Sequence, residues 1–274
     1  KEAITTTAFA DVLRDVLHKR ALAVYREDQY QEYRKILSDI VPLSDFKTQY
    51  RVRYGGYGTL PTVNQSAAYT ALTTPTDEQV TYTPAKRGGT ETITLEAIKN
   101  DDIGLLRDIP RRLGRAAANT LYRFVFDFIA DNGNIYDSTA LFTAGHGNLG
   151  SLALTYSTLE TAIIAIRDFT AYGDTSDVLG LRAKWLLVPN ELAEEAFQLV
   201  YTLTKPGTAN RDNNYFATLG LEMLVVPYWT DTNNWYLVAN PSDIPTIEVG
   251  FFEGNEDPEI FVSDQENVSS SSMF

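Results

Sequence analysis

Between Leu181 and Pro241 the chain carries two short runs that are apolar at successive positions, Trp185-Leu186-Leu187-Val188 and Met223-Leu224-Val225-Val226. A strand with one wet face alternates apolar and polar residues, so a continuous apolar strand must be covered on both faces. Each run stops at a proline, Pro189 or Pro227, which cannot donate to a continuing ladder. Between them an acidic helix over 190–203 begins Asn190-Glu191-Leu192-Ala193-Glu194-Glu195-Ala196-Phe197, with Leu192, Ala196 and Leu199 on one side. Trp235-Tyr236-Leu237-Val238-Ala239-Asn240-Pro241 and residues 245–252 read as further strands. This alternation predicts a layered α/β or α+β unit.

Residues 6 to about 36 are expected to be helical. Phe9, Leu13, Val16, Leu17, Ala21 and Val24 recur near the 3.6 period, and Pro42 ends any continuation. Over 46–54 the pattern changes to alternation. Phe46, Tyr50, Val52 and Tyr54 share one face and Lys47, Gln49, Arg51 and Arg53 the other, as in a strand with one buried face. Gly55-Gly56-Tyr57-Gly58 breaks it, and a polar stretch runs to Thr83. Strand character resumes at Val80 and Tyr82 and again at Ile93, Leu95 and Ala97. A two-stranded projection this poor in apolar residues is marginal alone in water and needs a partner to lie on.

A long helix is expected next. Pro110 suits a first turn, Asp108 a cap, and Leu113, Ala117, Leu121, Phe124, Val125, Phe128 and Ile129 form its apolar stripe up to a stop at Asn132-Gly133. At 1.5 Å per residue it would be a rod of roughly 33 Å. A further helix over 156–171, capped by Ser157 or Thr158, turns Leu159, Ala162, Ile163, Ile166 and Phe169 inward.

Catalytic chemistry finds little to work with. There is no cysteine, and the only histidines are His18, mid-helix, and His146, in a Gly-rich loop with no nucleophile motif beside it. His146 is read as a structural loop residue. Gly55-Gly56-Tyr57-Gly58 lacks the Lys-Ser/Thr pair and the helix of a phosphate loop. Glu253, Glu256, Asp257 and Glu259 lack calcium-loop spacing and read as a solvated acidic turn. No catalytic, cofactor or metal residue is assigned. No run approaches the roughly 18 apolar residues of a membrane span.

The net charge of -13 is unevenly distributed. Residues 1–54 carry +2, residues 55–132 carry -1 and residues 133–274 carry -14, with no basic residue after Arg211. The balance argues against a nucleic-acid-binding module. It does allow a basic end and an acidic end, complementary for head-to-tail contact. Plain solubility would explain the acidity equally well. Tyr50-Arg51-Val52-Arg53-Tyr54 mixes aromatic and basic residues as single-strand binders do, though packing explains it as readily. The 16 Tyr and 3 Trp suit large contact areas.

Several blocks occur in an order that resembles the major capsid proteins of tailed bacteriophages, in particular the Mu-like major head subunit family. They are Asn100-Asp101-Asp102-Ile103-Gly104, Ile109-Pro110-Arg111-Arg112-Leu113-Gly114-Arg115, Leu141-Phe142-Thr143-Ala144-Gly145-His146-Gly147-Asn148 and the strand blocks above. Together they cover about residues 95–274. The resemblance implies an α+β fold, the HK-ninety-seven-type or Johnson shell fold. Its parts would be an N-terminal arm over 1–45, an extended β-hairpin E-loop over 46–98, a peripheral domain from 99–145 and 241–274 with a long spine helix, and an axial α/β domain over 146–240.

It also implies a non-enzymatic protein with no cofactor. The chain would assemble with itself into hexamers and pentamers of an icosahedral virion shell, built in the host cytoplasm around double-stranded DNA without sequence-specific contact. Portal, scaffold or decoration proteins are further partners, and no membrane is involved. Intersubunit contacts are expected at Arg51, Arg53, Lys86, Arg87, Arg111, Arg112 and Arg115, facing acidic patches of adjacent copies. The family pattern continues past Phe274 with a basic, aromatic strand, and the chain lacks an initiating Met, so processing, truncation or a departure from the pattern is expected. An encapsulin-like compartment, a tail or adaptor protein and a soluble hydrolase are the alternative readings.

Overall fold

The computed structural model describes residues 6–57, 59–72, 77–91, 105–207 and 212–261. The strand expected around Ile93, Leu95 and Ala97 and the Asn100–Gly104 block lie outside these residues.

The continuous apolar strands sit at the centre. Strand β6 (Ala183–Pro189) pairs in parallel with β7 (Glu222–Val226), and on its other edge antiparallel with β8 (Tyr236–Ala239). Helix α4 (Ala193–Tyr201) connects the two parallel strands, preceded by a 3-10 turn at Asn190–Leu192. Successive residues of β6 point to opposite faces, and both faces are covered. Trp185 and Leu187 join one core with Leu224, Val226 and Trp229; Leu186 and Val188 join a second with Ala196, Leu199 and Phe216. The first core is closed by the long helix α2 (Leu105–Ala130), which supplies Tyr122, Val125, Phe126 and Ile129, and by the 3-10 turn Glu32–Ile36. The second is closed by α4 and by α3 (Tyr156–Arg167). A sheet between two helical layers is why these strands read as apolar runs.

Helix α3 ends at Arg167, and Thr170–Ala171 (β4) pairs with Asp174–Val178 (β5) as a short hairpin. Its cap is Thr155 rather than Ser157 or Thr158. The Thr155 hydroxyl accepts from the Thr158 amide, and the Thr158 hydroxyl accepts from the Thr155 amide, a reciprocal capping box.

Helix α2 departs from expectation in two ways. It begins at Leu105, so Pro110 lies inside the helix, not in its first turn, and cannot donate to the preceding turn. Its buried stripe is Ala118, Tyr122, Val125, Phe126 and Ile129, while Leu113, Phe124 and Phe128 point outward, Phe124 with 50% of its surface exposed. Both sides of the helix are apolar, so periodicity alone could not say which faced the core. The helix does stop at Asn132, which adopts a left-handed φ of 48°. The Asn132 side chain then donates to the Phe142 carbonyl and accepts from the Phe142 amide at 2.6 Å.

Helix α1 (Thr6–Tyr25) is shorter than expected and gives way to 3-10 turns at Asp28–Tyr30 and Glu32–Ile36. It packs on α2 of the same chain. Gly114 makes that possible: a Cβ there would lie 2.3 Å from the Ala21 carbonyl oxygen. Strand β1 (Asp39–Leu43) then pairs in parallel with β9 (Glu248–Phe252), joining the two ends of the described chain. Pro42 is accommodated in this two-stranded pair, opposite Phe251. The tie is reinforced by Arg26 to Asp257, by Arg34 to Glu256 and by the Tyr25 hydroxyl donating to the Glu256 carbonyl. The expected solvated acidic turn is therefore an ion-paired one at Glu256 and Asp257.

Candidate intersubunit surface

Strands β2 (Gln49–Tyr54) and β3 (Asp77–Tyr82) form the expected antiparallel pair, with Arg51 opposite Val80 and Arg53 opposite Glu78. The alternation in β2 is as predicted, but the roles of its faces are reversed. The aromatic face is open: Tyr50, Val52 and Tyr54 are 59%, 48% and 74% exposed. Beyond the strands Tyr57, Leu60, Tyr69 and Leu72 are exposed as well. The basic face is the one that is occupied.

Arg51 reaches β9, where its Nε donates to the Glu248 carboxylate at 2.8 Å, and the Tyr82 hydroxyl donates to the same carboxylate at 2.5 Å. This hydrogen-bonded contact raises the Arg51 pKa further, while burial first and then the Glu248 contact push the Tyr82 hydroxyl up to about 12. Arg53 lies 2.5 Å from Glu78, with its guanidinium 4.6 Å from the Tyr172 ring centre and 5.8 Å from that of Tyr136. The root of the hairpin is thus pinned to β9, to the β4–β5 turn and to the loop after α2. Phe46 adds a stack on Phe252 at 4.5 Å.

That loop is ordered by His146. Its Nε2 meets Asp137 Oδ2 at 2.8 Å and its Nδ1 meets the Leu141 carbonyl at 3.1 Å. Both are acceptors, so both ring nitrogens must donate and the imidazolium fits better than either neutral tautomer. The Asp137 hydrogen bond, then the Leu141 carbonyl, raise the His146 pKa. The Thr139 hydroxyl and amide, with His146 next, lower Asp137 to about 2. Asn148 completes the loop by donating to the Leu141 carbonyl and accepting from the Thr143 amide. The Thr139 hydroxyl also lies 3.2 Å from His146 Nε2, so the imidazole, Asp137 and Thr139 form one hydrogen-bonded cluster within the loop.

The remaining expected contact residues divide further. Arg87 lies over the exposed Phe124 ring at 4.5 Å, so the segment after β3 passes the outer face of α2. Lys86 is also engaged. Arg111, Arg112 and Arg115 are exposed and make no salt bridge within the described residues. The sequence reading missed Glu248, Tyr82, Tyr136 and Tyr172, the groups that hold Arg51 and Arg53. The two arginines' shared face was legible; what they meet depends on contacts separated by up to 197 positions.

Among the described residues no helix is long and apolar enough to cross a membrane, and no group of three or more acidic or histidine side chains is arranged to hold a metal ion.

Residues 77–272 match the family model described as phage capsid protein. Three solved structures share the fold. A chain from the capsid of bacteriophage JBD30 decorated with minor capsid protein trimers superposes with a TM-score of 0.57 at 14% identity, covering 83% of this chain and 100% of that one. The bacteriophage JBD30 capsid gives 0.57 at 15% identity, over 82% and 99% of the two chains. The JBD30 procapsid gives 0.54 at 14% identity, over 82% and 100%. No curated protein is significantly similar in sequence.

Proposed function

The chain belongs to the phage capsid protein family, and from that premise we propose that it is a major head subunit whose work is self-assembly into a closed shell. The observation that carries this is the hairpin. Tyr50, Val52, Tyr54, Tyr57, Leu60 and Tyr69 are all exposed on a projection with no core of its own. A soluble monomer rarely shows so large an apolar surface unless something covers it. A neighbouring copy is the cover that a shell supplies.

On this reading residues 46–98 act as the E-loop, laid across an adjacent subunit. Residues 99–145 and 241–274 form the peripheral domain around the long helix, and 146–240 the axial domain. Residues 1–45 serve as the N-terminal arm, although α1 and β1 pack on their own chain. Copies form hexamers and pentamers of a virion shell around double-stranded DNA, after assembly in the host cytoplasm. Portal, scaffold and decoration proteins act with it. Stability is then shared among many contacts and depends on subunit concentration. The family is one of phage capsids, which sets aside the cargo compartment and the hydrolase. The subunit needs no catalytic residue on this account.

The test is expression of the chain followed by negative-stain electron microscopy and sedimentation. Closed shells or capsomer rings are expected. A monodisperse monomer that stays monomeric with its scaffold co-expressed would sink the proposal.

A further inference from the structure

The seven basic residues expected at subunit contacts do not behave alike. Arg51 and Arg53 are neutralised within the chain by Glu248 and Glu78, and Arg87 lies on Phe124. Arg111, Arg112 and Arg115 are different: they lie in the N-terminal half of α2, exposed and with no salt bridge among the described residues. The structure adds two more beside them. Helix α1 touches α2 at Ala21 and Gly114, so the exposed Lys19 and Arg20 lie in the α1 turn that approaches this part of α2. Arg20 thus flanks the α2 segment that carries the three arginines, and Asp15 and Asp108 are exposed acids among the described residues of the two helices.

The opposite sign is found elsewhere on the same molecule. On α3 and at the start of α4, Glu160, Glu191, Glu194 and Glu195 are exposed and form no salt bridge among the described residues. They belong to the portion of the chain, residues 133–274, that carries -14. The two surfaces lie on different layers. The acidic one covers the α3–α4 side of the central sheet and the basic one belongs to the α1–α2 side.

We propose that the basic surface of the α1–α2 pair docks on the acidic α3–α4 surface of a second copy of this chain. The inference rests on the shell reading above and names the charges that steer one of its contacts. A contact between two different surfaces of identical subunits is head-to-tail and propagates around a ring. Subunits of net charge -13 repel one another at long range. A contact that sets a basic surface against an acidic one relieves that repulsion and fixes orientation. Nucleic acid is the less favoured occupant, because a chain of net charge -13 repels phosphates at long range.

The test is a charge exchange in the full chain, scored by the sedimenting assembled fraction and by electron microscopy. Arg111→Glu with Arg112→Glu is expected to lower the assembled fraction at least about tenfold, because like charges now face each other. Glu194→Arg with Glu195→Arg is expected to do the same. Combining all four substitutions in one chain restores assembly, since the pair has only been inverted. All three variants must melt as the parent does, which the exposure of every altered side chain predicts. Two reversals that assemble normally, or two defects that the combination fails to repair in normally folded chains, overturn the contact. Normal shells that have lost packaged DNA would overturn it too and assign the cations to nucleic acid. If the parent chain with its scaffold co-expressed forms no shell or ring, the shell reading fails and the contact falls with it; an assembling parent with unrescued variants removes the contact alone.

Discussion

Gly114 and His146 show how single side chains set the geometry here. In an exposed helix Gly→Ala gains about 1 kcal/mol of helix propensity. At Gly114 the added carbon would meet the Ala21 backbone at 2.3 Å, which no rotamer change relieves. The helices must separate, and overpacking of this kind costs roughly 1–3 kcal/mol. Gly114→Ala is therefore expected to lower the melting temperature, whereas Ala116→Gly, at an exposed site on the same helix, should cost only the propensity difference of about 1 kcal/mol. A rise in melting temperature for Gly114→Ala would refute the close approach.

His146 gives a pH dependence. Its pKa is raised on folding, so its contribution is complete below the unfolded value of about 6.5 and fades as pH rises through the folded one. Asp137 is lowered to about 2, so its contribution is complete above the unfolded value of about 3.9 and is lost as pH falls through about 2. The clasp is strongest between roughly pH 4 and 6.5. Accordingly the melting-temperature difference between the parent and His146→Ala should be larger at pH 5.5 than at pH 8.5. Equal differences at the two pH values would mean that the imidazolium is not the stabilising form.

At the scale of elements, the hairpin is held at its root and open along its length. Glu248 is the shared anchor, taking Arg51 and Tyr82 together. Glu248→Ala should leave the β6–β7–β8 sheet intact but raise amide hydrogen exchange in β2 and β3 severalfold, because a two-stranded unit has little stability of its own. Unchanged exchange would show that Arg53 and the Phe46 stack suffice. The central sheet should respond differently. Leu186 and Leu187 are both fully buried, each in a separate core, and replacing either with Ala should cost about 2–5 kcal/mol in a denaturant titration. Similar losses at adjacent positions are what a sheet covered on both faces requires; a strand with one wet face would lose stability at only one of them.

The whole molecule is a subunit whose surface makes most sense in company. The hairpin's aromatic face contributes little to the monomer, since Tyr50, Val52 and Tyr54 remain largely exposed there. Tyr50→Ser with Tyr54→Ser should leave the melting temperature of the isolated chain within about 2 °C of the parent, a change of under about 0.5 kcal/mol. The same pair should reduce the assembled fraction sharply. Normal assembly by this variant would place the intersubunit contact elsewhere on the hairpin.

The α+β class, the buried strands at 183–189 and 222–226, the helix between them and the stop at Asn132 were all written in local pattern. Period, proline and left-handed asparagine act over a few residues, so a reader of the sequence can recover them. The capsid resemblance was legible in the order of those same blocks. Three things were not. The stripe of α2 that faces the core was hidden, because Leu113, Phe124 and Phe128 are as apolar as the residues that are buried. The pairing of β1 with β9 was hidden because it joins positions more than two hundred residues apart. The fate of Arg51 and Arg53 was hidden because identical alternation serves a strand whose charges face water and one whose charges meet Glu248 and Glu78. Local sequence determined which segments are strand or helix and which residues share a face. Only the tertiary structure decided what each face meets, because burial and ion pairing depend on groups that the chain brings together from afar.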